Sequence, residues 1–151
     1  MVTNTTKNKP MIKNIFRILL GSFMFFAGFA HLSFQRKEFL AQVPTWLPQD
    51  PSFMDFVVVS SGVVEILLGL SMIFLVRHKM KVGIVLAIFF VLIFPGNISQ
   101  YVNDIDAFGL DTDQKRFIRL FFQPVLIFWA LWSTDALALF VNRKKETGSR
   151  V

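Results

Sequence analysis

The sequence predicts an all-α protein: a four-helix transmembrane bundle, both termini cytoplasmic, with a proline-rich first outer loop. Three observations carry this expectation. The chain of 151 residues is 54% hydrophobic, includes nineteen Phe and has a mean hydropathy of +0.54, against about 45–50% apolar residues in a soluble domain. Its apolar residues gather into four runs, each near the about 20 residues that a helix needs to cross a hydrocarbon core. Its basic residues, Arg17 and Arg119 apart, fall between and beyond those runs, and all sixteen show an alternating bias from one side to the other.

The runs are 15–34, 56–76, 82–102 and 117–141. The first is long, and Gly28-Phe29-Ala30-His31 is no clean small-residue cleavage site, so it reads as a retained helix. Residues 1–14 and 142–151 read as basic, disordered tails. Four spans leave no length for a separate soluble domain.

The charges select one orientation. Lys7, Lys9, Lys13 and Arg17 lie before or at the start of the first run, Arg77, Lys79 and Lys81 lie in or beside the second connection, and Arg143, Lys144, Lys145 and Arg150 follow the fourth. These are eleven of the sixteen basic residues. Arg36, Lys37, Lys115, Arg116 and Arg119 lie on the other side, among most of the aspartates. The positive-inside rule then puts both ends in the cytoplasm of a plasma membrane, the inner membrane if the cell is bacterial. An orientation signal accounts for the net charge of +6 without a nucleic-acid partner.

The connections differ in kind. Arg77 to Lys81 is a tight basic hairpin. Pro44, Pro48 and Pro51 forbid a long helix between Gln35 and Asp55. Phe39, Leu40, Val43, Trp46 and Leu47 predict that this segment lies along the interface or folds over the mouth of the bundle. Asp104 to Gln114 is acidic and reads as solvated.

Each span carries polar groups on one stripe. Gly21, Gly28 and His31 share a face in the first. Ser61, Gly62, Glu65 and Gly69 lie close together in the second. Gly83, Ala87, Phe90, Phe94, Asn97 and Tyr101 form a seam in the third, and Arg119, Gln123, Ala130 and Thr134 one in the fourth. Small residues on such stripes let helices approach closely. Glu65 is the sharpest signal, because a carboxylate at mid-membrane depth must face protein or water. The candidate pocket is therefore Glu65, His31, Asn97, Gln123, Ser61 and Arg119, with a helix break at Pro95 and Gly96. Structural readings compete at each position. Glu65 pairs with His31, Asn97 or Arg119; Asn97 and Gln123 act as interhelical glue; Arg119 snorkels to lipid phosphate; Asp135 pairs with Arg17 or Lys81.

Several chemistries are set aside. The chain has no Cys, hence no disulfide relay and no thiolate metal site. His31 and His78 are expected on opposite sides of the membrane, so no metal site is expected. No Walker-type or dinucleotide-type Gly-rich loop occurs. A self-contained redox enzyme would need an electron carrier that this sequence does not supply.

The same residues carry a resemblance. GSFMFFAGFAHLSF, VPTWLP, SGVVEILLGLSM, FPGN and RLFFQPVLIFWAL, between Phe16 and Trp132, resemble the DoxX-like membrane proteins. The most specific elements are Gly28 to His31, Ser61 to Glu65 with Gly69, and Pro95 with Asn97. The departures are Gly96 in place of Ala before that Asn and Phe121 in place of Pro after Arg119-Leu120; both touch local helix shape. The resemblance implies a four-helix membrane bundle. It implies an association with quinone-linked oxidation, with the maturation of redox enzymes, or with the assembly of other membrane proteins.

Three functions compete on this reading. The first is an accessory or assembly subunit acting with a membrane protein partner. The second is a quinone-linked oxidoreductase component with quinone as cofactor, Glu65 or His31 moving protons. The third is a small carrier for a lipid or solute. The lipid bilayer is a partner in all three.

Overall fold

The computed structural model describes residues 5–141, which form α1 (Thr5–Leu32), α2 (Arg36–Ala41), α3 (Pro51–Phe74), a 3₁₀ turn (Val76–His78), α4 (Lys79–Val102) and α5 (Asp113–Ser133). No strand occurs among the described residues. Three segments are long and apolar enough to cross a membrane: Pro10–Leu32, Pro51–Phe74 and Val76–Val102. Helix α5, with Asp113, Lys115, Arg116 and Arg119 in its first half, is not among them.

The distribution of polarity suits a lipid environment. Large apolar side chains such as Phe23, Phe26, Phe29, Phe56, Leu67, Leu92, Phe121 and Phe128 are exposed, while Arg17, His31, Glu65, Asn97, Gln100 and Gln123 are buried. A soluble fold reverses that arrangement.

Local chemistry sets the helix ends. Asp50 caps α3, its side chain accepting from the backbone N–H groups of Ser52 and Phe53, with Pro51 at the first helical position. Thr112 caps α5 through the N–H of Lys115. Helix α4 continues through Pro95 and Gly96, so the break expected there is absent. An antiparallel neighbour can satisfy the carbonyl a proline frees, so a helix can survive it.

The bundle consists of two helix pairs. Helix α1 packs mainly on α3, and α4 on α5, with thinner contacts between the pairs. Glycines explain the intimacy of the first pair. A Cβ at Gly21 would fall 2.8 Å from the Gly69 carbonyl oxygen, and one at Gly28 would fall 2.5 Å from that of Gly62. In the second pair, a Cβ at Gly83 would collide with the Thr134 side chain. Leu20, Met24, Met72, Leu86, Phe90 and Ala130 fill the core where the pairs meet.

The basic-hairpin end is tied by charge. Lys13 and Lys79 hold opposite oxygens of Asp135 at 2.7 and 2.6 Å. Arg17 instead turns to the carbonyls of Met72 and Ile73, capping the end of α3. The expected partners of Asp135, Arg17 and Lys81, are thus replaced by Lys13 and Lys79. Asp135 has a positive φ of 65°, and the expected continuous helix 117–141 is interrupted at residues 134–136 before resuming at 137–141. At the other end of the chain, helix already begins at Thr5, inside the stretch expected to be a disordered tail. The expected tail 142–151 lies outside the described residues.

The opposite end is capped by two connections. Arg36 on α2 bonds Asp55 on α3. Glu38 on α2 accepts from the Phe108 N–H. Arg116, 6% exposed, gathers Asp104, Asp106 and Asp113 at 3.2, 2.7 and 2.7 Å. Its guanidinium holds the Asp113 carboxyl below the usual carboxylate range, with Asp104 adding to the effect. The acidic connection keeps Asp104, Asp106 and Asp113 in solvent, each more than 70% exposed, as expected, and Arg116 orders it into a collar with Ala107 buried at its base.

Candidate functional site

Beneath that cap, two cavities lie on either side of the seam between the helix pairs. One, of about 330 Å³, is walled by α3 (Val57, Val58, Ser61, Glu65), α4 (Leu92, Ile93, Asn97) and the proline-rich segment. The other, of about 420 Å³, is walled by α1 (Phe23, Phe26, Ala30) and α5 (Leu126), with Phe108 from the acidic connection. Four residues line both: Phe39, Glu65, Ile93 and Arg119. These volumes fall within the roughly 300–1,000 Å³ of small-molecule sites, which are mostly apolar with a few placed polar groups.

The α1–α3 pair supplies one polar cluster. The close approach of Gly28 to Gly62 brings His31 down onto α3. His31 Nε2 lies 3.2 Å from Glu65 Oε2. The approach is off line, so Oε2 completes no hydrogen bond although the residue is only 5% exposed. On its other side, His31 Nδ1 faces the Val58 carbonyl at 3.3 Å and Ser61 Oγ at 3.2 Å. Ser61 donates its own hydroxyl to that carbonyl at 2.9 Å. Phe39 stacks over the imidazole.

The α4–α5 pair supplies the other cluster. Arg119 Nε donates to Asn97 Oδ1 at 3.2 Å, and its Nη2 to Gln42 Oε1 at 3.3 Å. Asn97 Nδ2 donates to Gln123 Oε1 at 3.0 Å, and Gln123 Nε2 to the Phe90 carbonyl at 2.7 Å. Gln42 Nε2 donates to Gln100 Oε1 at 2.6 Å, and Gln100 in turn to the carbonyls of Ile105 and Ala107. Every group in this relay is fixed by the next, so Arg119 is held in place by neutral amides. Its guanidinium also lies over the Phe108 ring at 4.9 Å.

The six residues expected to form a pocket thus fall into two clusters. His31, Ser61 and Glu65 form one, and Asn97, Gln123 and Arg119 the other. Five of the six line the first cavity, whereas Gln123 stands behind Asn97 and orients it. Pro95 and Gly96 also line it, as wall rather than as break. Sequence reasoning missed Gln42, Gln100 and Phe108 as members. Gln42 could have been found as the one amide in an otherwise apolar stretch before Val43-Pro44. Phe108 gave no signal, because its place depends on a positive φ of 57° in the connection. Among the described residues, no group of three metal-ligating side chains occurs.

No curated protein and no solved structure matches the chain. A family model matches residues 20–134, from the core of α1 to just past α5 and so both clusters and both cavities. The chain belongs to the family described as a domain of unknown function, DUF8561.

Proposed function

We propose that this chain is a four-span plasma-membrane protein with both termini cytoplasmic, and that it is an accessory subunit binding an amphipathic small molecule beside a membrane partner. One observation carries the binding reading. Glu65 brings a buried carboxylate oxygen without a hydrogen-bond partner to the wall shared by two apolar cavities. A buried polar atom left bare costs about 1–3 kcal/mol, more if charged. A ligand that satisfies it recovers that cost. The eleven basic residues at the hairpin end and tails support the orientation. The likeness to DoxX-like proteins is part of this proposal, as a shared four-helix design.

Mild-detergent purification followed by analysis of co-purifying molecules tests the reading. The expected result is one amphipathic compound near stoichiometric amount, depleted in Glu65→Leu, with a membrane protein partner in the same complex. A small-molecule profile identical to the bulk membrane, unchanged by that substitution, contradicts it.

A second reading has its own support. His31 Nε2 and Glu65 Oε2 stand 3.2 Å apart at the cavity wall, close enough to exchange a proton once a ligand aligns them. A quinone seated there would make the chain a component of a quinone-linked oxidoreductase. Quinone in the extract, with its reduction lost in Glu65→Gln, would favour this reading over the first.

A further inference from the structure

We propose that the two cavities, which share Glu65 and Arg119 as wall, take a zwitterionic head group in which a phosphate and a primary ammonium are close neighbours, the chemistry of an aminophospholipid. This rests on the reading of the cavities as an amphiphile site and names the class of molecule.

Two ionisable side chains, Arg119 and Glu65, face both cavities. Arg119 carries five N–H donors. Two go to neutral amide oxygens, of Asn97 and Gln42, and no carboxylate pairs with the side chain among the described residues. A cation in apolar surroundings is normally paired. Glu65 is the other ionisable group: 5% exposed, with Oε2 lacking a hydrogen bond from any N–H. Both residues line both cavities, yet they form no ion pair with each other.

The histidine sharpens the choice. The Ser61 hydroxyl is spent on the Val58 carbonyl, so His31 Nδ1 meets two oxygens and is the nitrogen that carries hydrogen. In the neutral ring, Nε2 then presents a bare lone pair beside bare Glu65 Oε2, 3.2 Å away. The two atoms can share one proton on the carboxyl or, with that proton released, take a donor with several N–H groups. A primary ammonium has three and can serve both at once; a quaternary ammonium has none.

Other ligand classes fit less well. A purely anionic head would satisfy Arg119 and meet Glu65. A purely cationic one would do the reverse. A neutral amphiphile would leave both charges alone. A phosphate on the free N–H groups of Arg119, with an ammonium against Glu65 and His31, answers both. The chains of such a molecule have an apolar path past Trp46, Leu47, Val57 and Leu92 on the cavity wall.

The test is native mass spectrometry of the full chain in nanodiscs holding equal parts of phosphatidylethanolamine, phosphatidylcholine and phosphatidylglycerol. Retained phosphatidylethanolamine should exceed each of the others about tenfold, the worth of a charge-assisted hydrogen bond. Glu65→Gln should erase that preference while phospholipid is still retained. Arg119→Gln should abolish retention, and Arg119→Lys should restore part of it. The comparison with phosphatidylcholine uses only the wild-type chain, so it stands even if a variant fails to fold. Equal retention of the three lipids, or a preference unchanged in Glu65→Gln, overturns the head-group proposal and leaves the amphiphile reading intact. Retention of no amphiphile by the wild type overturns both. Competition with free O-phosphoethanolamine identifies the source. Displacement of the lipid only at great excess assigns the site to the intact lipid, and displacement at equal concentration assigns it to the soluble head group; either supports the shared chemistry.

Discussion

Gly28 and Gly62 touch backbone to backbone, and that contact places the His31 ring over Glu65. A Cβ on Gly62 would fall 2.7 Å from His31 Cβ and 3.1 Å from the Gly28 carbonyl oxygen. The packing of α1 on α3 and the geometry of the cavity wall are therefore one feature. A side chain at either glycine pushes the helices apart and lifts the imidazole from the carboxylate.

Gly62→Ala is accordingly expected to cost about 1–3 kcal/mol of stability by overpacking, and to weaken ligand retention more than its stability loss explains. Thermal unfolding in detergent and lipid retention, measured on the same preparation, check this. An unchanged melting temperature would show that α1 and α3 do not meet as described.

Asp135→Asn isolates the other end of the bundle. The carboxylate is partly exposed and bridged to Lys13 and Lys79, so its removal should cost less than about 1 kcal/mol. It should leave ligand retention untouched, in contrast to Glu65→Leu. Equal, negligible effects of both substitutions would make Glu65 merely structural.

Much of this was legible in the sequence, and the helix faces show why. The stripes of α3 and α4 depend on local periodicity, so Gly62, Glu65 and Gly69 on one helix, and Gly83 and Asn97 on the other, could be placed on interior faces before any partner was known. Partner choice was less legible. Asp135 is expected from sequence to reach Arg17 or Lys81, but Arg17 is turned to the end of α3, and Asp135, itself at a positive φ, meets Lys13 and Lys79. Pro95 signalled a break, yet α4 runs on to Val102; neighbouring helices can meet the backbone groups a proline frees. The acidic connection reads as solvated and its aspartates are exposed, but composition does not reveal that one buried arginine, Arg116, gathers three of them around it.

That collar has a defined pH dependence. Asp113 is held below its ordinary pKa first by the Arg116 hydrogen bond, and Asp111 by that of Lys115. A depressed carboxylate stabilises the fold above its unfolded value and loses that contribution as pH falls through the folded value. The connection should therefore stay ordered down to about pH 4, the ordinary carboxylate range, and loosen only below it. Amide hydrogen exchange across residues 104–113, corrected for intrinsic pH effects, reads this directly. Loosening between pH 5 and 7 would contradict the collar.

Orientation is open to a simple assay. Reporter fusions at the two ends of the chain should both read cytoplasmic, and a cysteine placed at Gly109 should react with an impermeant reagent added from outside. Either end found outside would break the charge argument for four spans.

The most direct test of the account is an experimental density map of the protein in a lipid nanodisc. The account predicts density that belongs to no protein atom, in contact with the Glu65 carboxylate and the Arg119 guanidinium, where the α1–α3 pair faces the α4–α5 pair. A map in which Glu65 points at acyl chains, or in which the helix pairs close over that space with nothing between them, would contradict it.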